Sequence, residues 1–477
     1  MSADLPLDDL RRHGHEVVDY LVDYLARVEG LPVLPAVTPG EIKGLLPPSP
    51  PLTGESMDVV LADLDRIIVP GLTHWNHPGF FGYFAVTGSG PGILADALAA
   101  AFNNIAMMWR TSPAATELEE VTLDWLRQML GLPAAFEGVI YDTASMASLC
   151  AMAAAREVAT DSAARQYGLA VGARLRLYTS EHAHSSIEKA AITLGIGLAG
   201  VKKIPTDAEF RMDPDALARA IAEDRAEGWR PFCVVATVGT TSMSSIDPIP
   251  AIADLCAREA LWLHVDAAYG GAAAVVPELR WVLDGCDRAD SLVVNPHKWL
   301  FVPMDCSALF TPRLDVLRQA FSLVPSYLQF AQMDEVRNFM DYGPQLGRRF
   351  RALKLWFVFR AFGVDGLAER IRNHVAWAQE FAAWVDKSPR FERLAPTPLS
   401  LVCFRAVRDD FNEGDLNKLN EHLLDAVNRR GRVFLSHTKL GNRYALRLAI
   451  GNLRTTLAHV RLTWDELNAA LDELNPG

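Results

Sequence analysis

Along residues 8–29 the apolar positions Val17, Val18, Leu21, Tyr24, Leu25 and Val28 recur at helical spacing, which predicts an amphipathic helix. A connector follows that contains Pro32, Pro35, Pro39, Pro47, Pro48, Pro50 and Pro51. So many prolines exclude regular structure there and predict an arm laid over another surface. The helix could dock on a partner subunit or on its own large domain, and the pattern leaves both open. From about residue 90 to 310 the pattern changes. Runs at 175–179, 232–237, 261–265 and 291–294 are apolar on both faces and alternate with helical patterns such as 214–227 and 249–259. That alternation predicts an α/β unit with a mainly parallel sheet covered on both sides. Beyond about residue 360 the order becomes a helix at 366–387, strand-like stretches at 399–405 and 444–449, and closing helices, which is a smaller α+β unit. The expected division is 1–90, 91–360 and 361–477.

The balance of charge narrows the partners. The 477 residues include 46 Lys plus Arg and 58 Asp plus Glu, a formal charge of −12. That field disfavours nucleic acid and anionic membrane surfaces, and no basic run reverses it locally. No window approaches the ~20 apolar residues of a membrane helix. The first residues carry acids where a secretion signal would carry bases, and the six cysteines are scattered without a CxxC pair. A cytoplasmic protein with reduced, buried cysteines is expected.

In parallel sheets the chemistry gathers just past the C-terminal ends of the strands. The run 261–265 ends on Asp266, followed by Ala267, Ala268 and Tyr269; a carboxylate there is costly unless it meets a cation. The run 291–294 ends in Asn295-Pro296-His297-Lys298-Trp299, a turn that presents a lysine. The run 232–237 leads into Val238-Gly239-Thr240-Thr241, and 175–179 into His182-Ala183-His184 and the capping-box pattern Ser185–Glu188. Thr143-Ala144-Ser145 precedes an apolar helix at 146–157, whose N-terminal amides suit a phosphate. Singly, each has an ordinary reading: a solvated lysine, a turn aspartate, a helix cap, or two histidines as metal ligands. No further ligand group lies near His182 and His184 at metal spacing, so no metal is expected. Together they are what pyridoxal 5′-phosphate (PLP) chemistry requires: a lysine to hold the cofactor, a carboxylate for its pyridine nitrogen, a phosphate cradle and a flat imidazole for its ring.

The same segments resemble the group II PLP-dependent amino acid decarboxylases, and within them the aromatic-L-amino-acid decarboxylases. The resemblance spans nearly the whole chain. It includes Asn295–Trp299, His264–Tyr269, Ala183–Ser186, Trp109 with Ser112-Pro113-Ala114 and Thr116–Glu119, Leu346–Arg351 and Leu401–Arg405. It implies a fold type I, PLP-dependent transferase-like large domain on a mainly parallel seven-stranded sheet, with an N-terminal helical arm and a small α+β C-terminal domain. It implies a homodimer with a shared active site. By the resemblance Lys298 is the Schiff-base lysine, Asp266 the pyridine-nitrogen partner and His184 the ring-stacking residue. Ala144, Ser145, Asn295 and His297 hold the phosphate, and Thr241 and Ala268 contact the cofactor. Tyr327, within Pro325-Ser326-Tyr327-Leu328, matches the tyrosine that protonates the α-carbon from a lid. Trp75, Tyr83, Phe84, Met107 and Gly347 match substrate-pocket positions, Met107 as the neighbouring subunit's contribution.

The chain also departs from the family. Met146 stands where a glutamate is usual, Met107 where a phenylalanine is usual, and Ala85 and Val86 replace a proline and a threonine of the animal enzymes. Losing that threonine removes a hydroxyl suited to a ring-OH, and Gly347 leaves room, which leans toward a bulky, less hydroxylated ring. Tryptophan, phenylalanine, tyrosine and DOPA all remain candidates. The rivals are an aromatic aldehyde synthase, which often carries phenylalanine where Tyr327 stands, and a decarboxylase for another amino acid such as histidine. An aminotransferase would need an arginine pair that cannot be placed, and the intact Lys298, Asp266, His184 and Tyr327 argue against a scaffold without turnover.

Overall fold

The computed structural model describes residues 4–169, 174–323 and 335–474. Its strands are β1 (Phe80–Phe81), β2 (Glu137–Tyr141), β3 (Leu175–Ser180), β4 (Val201–Ile204), β5 (Arg230–Thr237), β6 (Trp262–Asp266), β7 (Ser291–Val294), β8 (Ser307–Thr311), β9 (Phe391–Arg393), β10 (Leu401–Ala406), β11 (Phe434–Leu440) and β12 (Arg443–Ala449). Seven form one sheet in the order β2-β8-β7-β6-β5-β3-β4. Only β8 runs against its neighbours β2 and β7; the other pairings are parallel. The strands read as continuous apolar runs because both faces are covered. Cys233 and Val235 of β5 face one core with Trp262 and Val293, while Val234 and Ala236 face the other with Leu263 and Val265.

The helices that matter below are α1 (Leu7–Arg27), α2 (Gly90–Phe102), α3 (Pro113–Leu130), α4 (Ala144–Thr160), α5 (Ser186–Thr193), α6 (Ala352–Lys387), α7 (Glu413–Arg429) and α8 (Leu457–Leu474). Helix α4 begins two residues earlier than its apolar pattern, because the Thr143 hydroxyl accepts the Met146 amide and caps it. Helix α6 begins well before residue 366. It is broken at Gly363 (φ 64°, ψ 173°), a conformation glycine adopts without steric cost. The proline-rich connector is not wholly irregular: Glu41–Leu45, between Pro39 and Pro47, forms one short helix.

A second sheet, in the order β1-β11-β12-β10-β9, packs with α7 and α8. Its edge strand β1 pairs in parallel with β11, so Phe80 and Phe81 are hydrogen-bonded into a sheet otherwise built from the last hundred residues. All six cysteines are buried and unpaired, as expected. Among the described residues no helix is long and apolar enough to cross a membrane.

Candidate active site

Because β2 and β7 both run opposite to β8, they run parallel to each other. The C-terminal ends of β2, β3, β5, β6 and β7 therefore share one edge of the sheet. The segments that follow these strands meet there around a cavity of about 180 Å³. Ala144, Ser145, His184, Thr241, Asp266, Ala268, Asn295, His297 and Lys298 all line it, together with Phe84. Every expected cofactor-binding position is thus brought to one place.

Lys298 sits in the helical turn Pro296–Trp299, its Nζ 5.4 Å from the centre of the Phe84 ring. It makes no hydrogen bond or ion pair with the described residues. Burial pulls its pKa below the ordinary lysine value, and the charge of Asp266 opposes that pull. Asp266 is itself buried and accepts the Ala268 amide at 3.1 Å, yet no cation among the described residues comes within ion-pair reach. An amine without a partner and a carboxylate without a cation, in one cavity, leave room for a group that satisfies both.

The expected capping box at Ser185–Glu188 does not form, and His184 takes its place. Its Nδ1 accepts the Ser186 amide at 3.2 Å and lies 2.8 Å from the Ser186 hydroxyl, while Ser185 makes no capping bond and Glu188 faces Lys203 at 3.4 Å. The imidazole has taken over the cap, which fixes its ring. With Nδ1 accepting, the neutral ring carries its proton on Nε2. Burial lowers its pKa, opposed by Asp266 and helped by Lys298 and Lys189, so the ring is neutral near pH 7. His297 accepts the Cys306 amide at Nδ1 (2.9 Å), and burial pushes its pKa down to about 3. Asn295 Oδ1 accepts the Ser307 hydroxyl at 2.6 Å, which holds the turn before Lys298.

Behind the cavity the Phe84 ring stacks on Tyr269 with centroids 3.7 Å apart, and Tyr269 stacks on Trp299 at 4.6 Å. Thr143, of the segment expected to hold the phosphate, lines the cavity as well, and so do Ser186, Thr237, Gly239 and Tyr269, of which no site role was expected. Ser186 and Tyr269 fall inside the motifs, so proximity was the available signal. Thr237 carried none beyond its place at a strand end, and its buried hydroxyl has no hydrogen-bond partner among the described residues. Gly239 is required: a Cβ there would meet the Gly270 backbone at 3.0 Å.

The remaining pocket positions lie elsewhere in the single chain. Trp75 and Tyr83 stack at 5.9 Å on the surface beside Phe84. Met107 and Gly347 are brought together by the Ala106–Arg348 backbone pairing, and neither lines the cavity. Tyr327 lies outside the described residues.

Residues 39–407 match the pyridoxal-dependent decarboxylase conserved domain. The chain is 43% identical to an aromatic-L-amino-acid decarboxylase of Sus scrofa, over 98% of this chain and 97% of that one. It superposes on a structure of Oryza sativa TDC solved with PLP and tryptamine at a TM-score of 0.96, with 39% identity over 99% and 100% of the two chains. It also resembles Rhodiola rosea 4-hydroxyphenylacetaldehyde synthase, with a TM-score of 0.92 and 36% identity over 98% and 99%. The chain belongs to the pyridoxal-dependent decarboxylase family. It is a carboxy-lyase whose cofactor is PLP, and the Lys298 amine and Thr237 hydroxyl, without partners among the described residues, and the Asp266 carboxylate, without a cation among them, fit that cofactor.

Proposed function

We propose that this decarboxylase removes the carboxylate of an aromatic L-amino acid, yielding the amine and CO₂, with tryptophan, phenylalanine, tyrosine and DOPA as its substrate class. The observation that carries the reading is the wall of the cavity. Besides Lys298 and Asp266 it presents no side chain of fixed charge among the described residues, and its apolar face is the Phe84–Tyr269 stack flanked by Trp75 and Tyr83. Such a wall suits a flat, uncharged ring and offers nothing to neutralise an acidic side chain. The Sus scrofa aromatic-L-amino-acid decarboxylase and the tryptamine in the Oryza sativa structure support the same class.

In this reading Lys298 holds the PLP aldehyde carbon, and its lowered pKa leaves more of the amine unprotonated and nucleophilic. Asp266 holds a proton on the pyridine nitrogen. PLP, when bound, draws the electrons of a bond at the substrate α-carbon into its ring. Ala144 and Ser145, at the N-terminus of α4, hold the phosphate with Asn295 and His297, while Thr241 and Ala268 contact the cofactor. His184, fixed through Ser186, covers the ring and steers the substrate carboxylate. Tyr327 delivers the proton to the α-carbon. The enzyme works as a cytoplasmic homodimer whose first 90 residues pack on the partner, with Met107 and Gly347 completing the partner's pocket. Residues 91–360 and 361–477 form the large and small domains.

The likeness to the Rhodiola rosea aldehyde synthase makes oxidative deamination the second reading. One assay separates them. Protein loaded with PLP is given each aromatic L-amino acid, and CO₂, amine, aldehyde, ammonia and peroxide are quantified, with Lys298→Ala as the inactive control. Amine and CO₂ in equal amounts are expected; aldehyde and peroxide as the main products would overturn the proposal.

A further inference from the structure

Arg447 is buried and has no carboxylate partner among the described residues. Its neighbours are four oxygens of other kinds: Nε donates to the Ser242 carbonyl at 2.8 Å, Nη1 to the Ser436 hydroxyl at 2.6 Å, and Nη2 to the carbonyls of Thr241 and, at 3.4 Å, Tyr83. A guanidinium held without a counter-charge is expensive, and burial accordingly lowers its pKa. Its planar fork is the side chain that can reach several carbonyls at once.

Arg447 does not act alone. In the small sheet it is the register partner of Cys403 on β10 and of Ser436 on β11, so the three form one cross-strand row. Cys403 Sγ lies 3.1 Å from the same Ser242 carbonyl, and Thr438 bonds the Ser242 hydroxyl at 3.0 Å. The row thus grips the loop after β5 at Thr241 and Ser242, and Thr241 lines the cofactor cavity.

The other end of the grip is Tyr83. Its φ is 52°, in the left-handed region that a bulky residue rarely occupies. Its amide donates to the Ser436 hydroxyl at 3.1 Å and its carbonyl accepts from Arg447, so both backbone groups are fixed by the row. The preceding residue must be glycine, since a Cβ on Gly82 would sit 2.2 Å from the Phe434 ring. The strained turn points Phe84 onto Tyr269, beside Lys298, and leaves the Tyr83 ring stacked on Trp75.

We propose that the Cys403–Arg447–Ser436 row is a positioning device, in which the small sheet holds Tyr83 in its left-handed conformation and Thr241–Ser242 in place and so sets the aromatic wall of the substrate pocket. The row touches neither substrate nor cofactor. Its effect falls on substrate affinity, and the proposal rests on the reading of the cavity as an aromatic amino acid site.

The test uses the full-length protein. Ser436→Ala and Arg447→Met are made alone and in a Tyr83→Gly background, where glycine adopts the left-handed turn without being held. In the wild-type background Ser436→Ala should raise KM for the aromatic substrate roughly fivefold, with kcat changed less than about twofold. In the Tyr83→Gly background the same substitution should change KM less than about twofold. Amide exchange of residues 80–86, measured without substrate, should quicken by about tenfold while that of 401–406 stays as it was. Arg447→Lys, which keeps the charge and loses the fork, should behave as Arg447→Met. Equal KM effects in the two backgrounds, equal quickening of 401–406, or full rescue by lysine would overturn the proposal. Where Arg447→Met does not fold, Ser436→Ala decides. A protein inactive on every aromatic amino acid would sink the substrate reading alone, because the exchange measurement still tests the grip.

Discussion

Asp266 and Lys298 illustrate how much rests on two side chains that find no charged partner among the described residues. Asp266 ends a strand buried on both faces, and its nearest described donor is one backbone amide. In the proposed site its charge would keep the pyridine nitrogen of PLP protonated; asparagine preserves the shape and lacks the charge. Asp266→Asn should therefore lower kcat/KM by on the order of a hundredfold or more while PLP still binds, which titration by absorbance and steady-state kinetics will separate. Near-normal kinetics would assign the proton to another group. A second prediction at this scale concerns buried imidazoles. His264 lies between the hydroxyls of Ser148 and Ser291, each at 2.9 Å, and burial pushes its pKa down to about 4; His374 and His297 are pushed to about 3. A histidine that resists its proton in the fold accepts it more readily once unfolded. Its contribution is whole above pH 6.5 and drains as pH falls toward 4 for His264 and toward 3 for the other two. By pH 5, 1.5 units below the unfolded value, His264 alone costs about 2 kcal/mol. The Tm difference between pH 7 and pH 5 should shrink in His264→Gln, and an unchanged difference would refute this account.

At the scale of elements, His264 does a second job. Through Ser148 it ties α4 to β6, and Ser291, which also receives the Trp262 indole N–H at 2.9 Å, ties β6 to β7. Helix α4 presents the proposed phosphate amides and β6 carries Asp266, so this tether sets the distance between the groups proposed to hold the two ends of the cofactor. Ser148→Ala should raise the PLP dissociation constant roughly fivefold, read by fluorescence titration, with little change in Tm. Much of this layout was legible in the sequence. The double-sided apolar runs marked β3, β5, β6 and β7 to within two residues at either end, because burial on both faces leaves no alternation to misread. The strand ends then delivered the cavity. Elements whose signal is tertiary were harder to see. β4 carries two lysines in four residues, β8 reverses direction, and β1 exists only because β11 receives it. The left-handed Tyr83 had no signature at all. Its conformation is imposed by Ser436 and Arg447, more than 350 residues along the chain.

At the scale of the whole molecule, the single chain leaves an apolar surface that asks for a partner. On α2, Leu94, Leu98 and Phe102 recur four residues apart and are exposed, as is Ile105 beyond its end. Helix α1 and the segments after it add Val17, Val18, Val22, Val59 and Val60. A stripe of this kind on a helix with no charged residue but Asp96 is what an isologous interface buries. It runs directly into Met107, which does not line its own chain's cavity. In the proposed dimer, then, each site combines Lys298 of one subunit with Met107 of the other. Two observations follow. The protein should sediment at twice its 52.5 kDa chain mass, and Leu94→Glu with Leu98→Glu should yield an inactive monomer. The stricter test mixes two dead variants, Lys298→Ala and Met107→Arg, under conditions of subunit exchange. Random pairing makes half the dimers mixed, and each mixed dimer has one site with an intact lysine and an intact methionine. Activity should return to about a quarter of wild type, since half the dimers carry one working site of two. A mixture that exchanges subunits and stays dead would place Met107 in its own chain's pocket or outside any pocket. Full activity from a verified monomer would remove the shared site altogether.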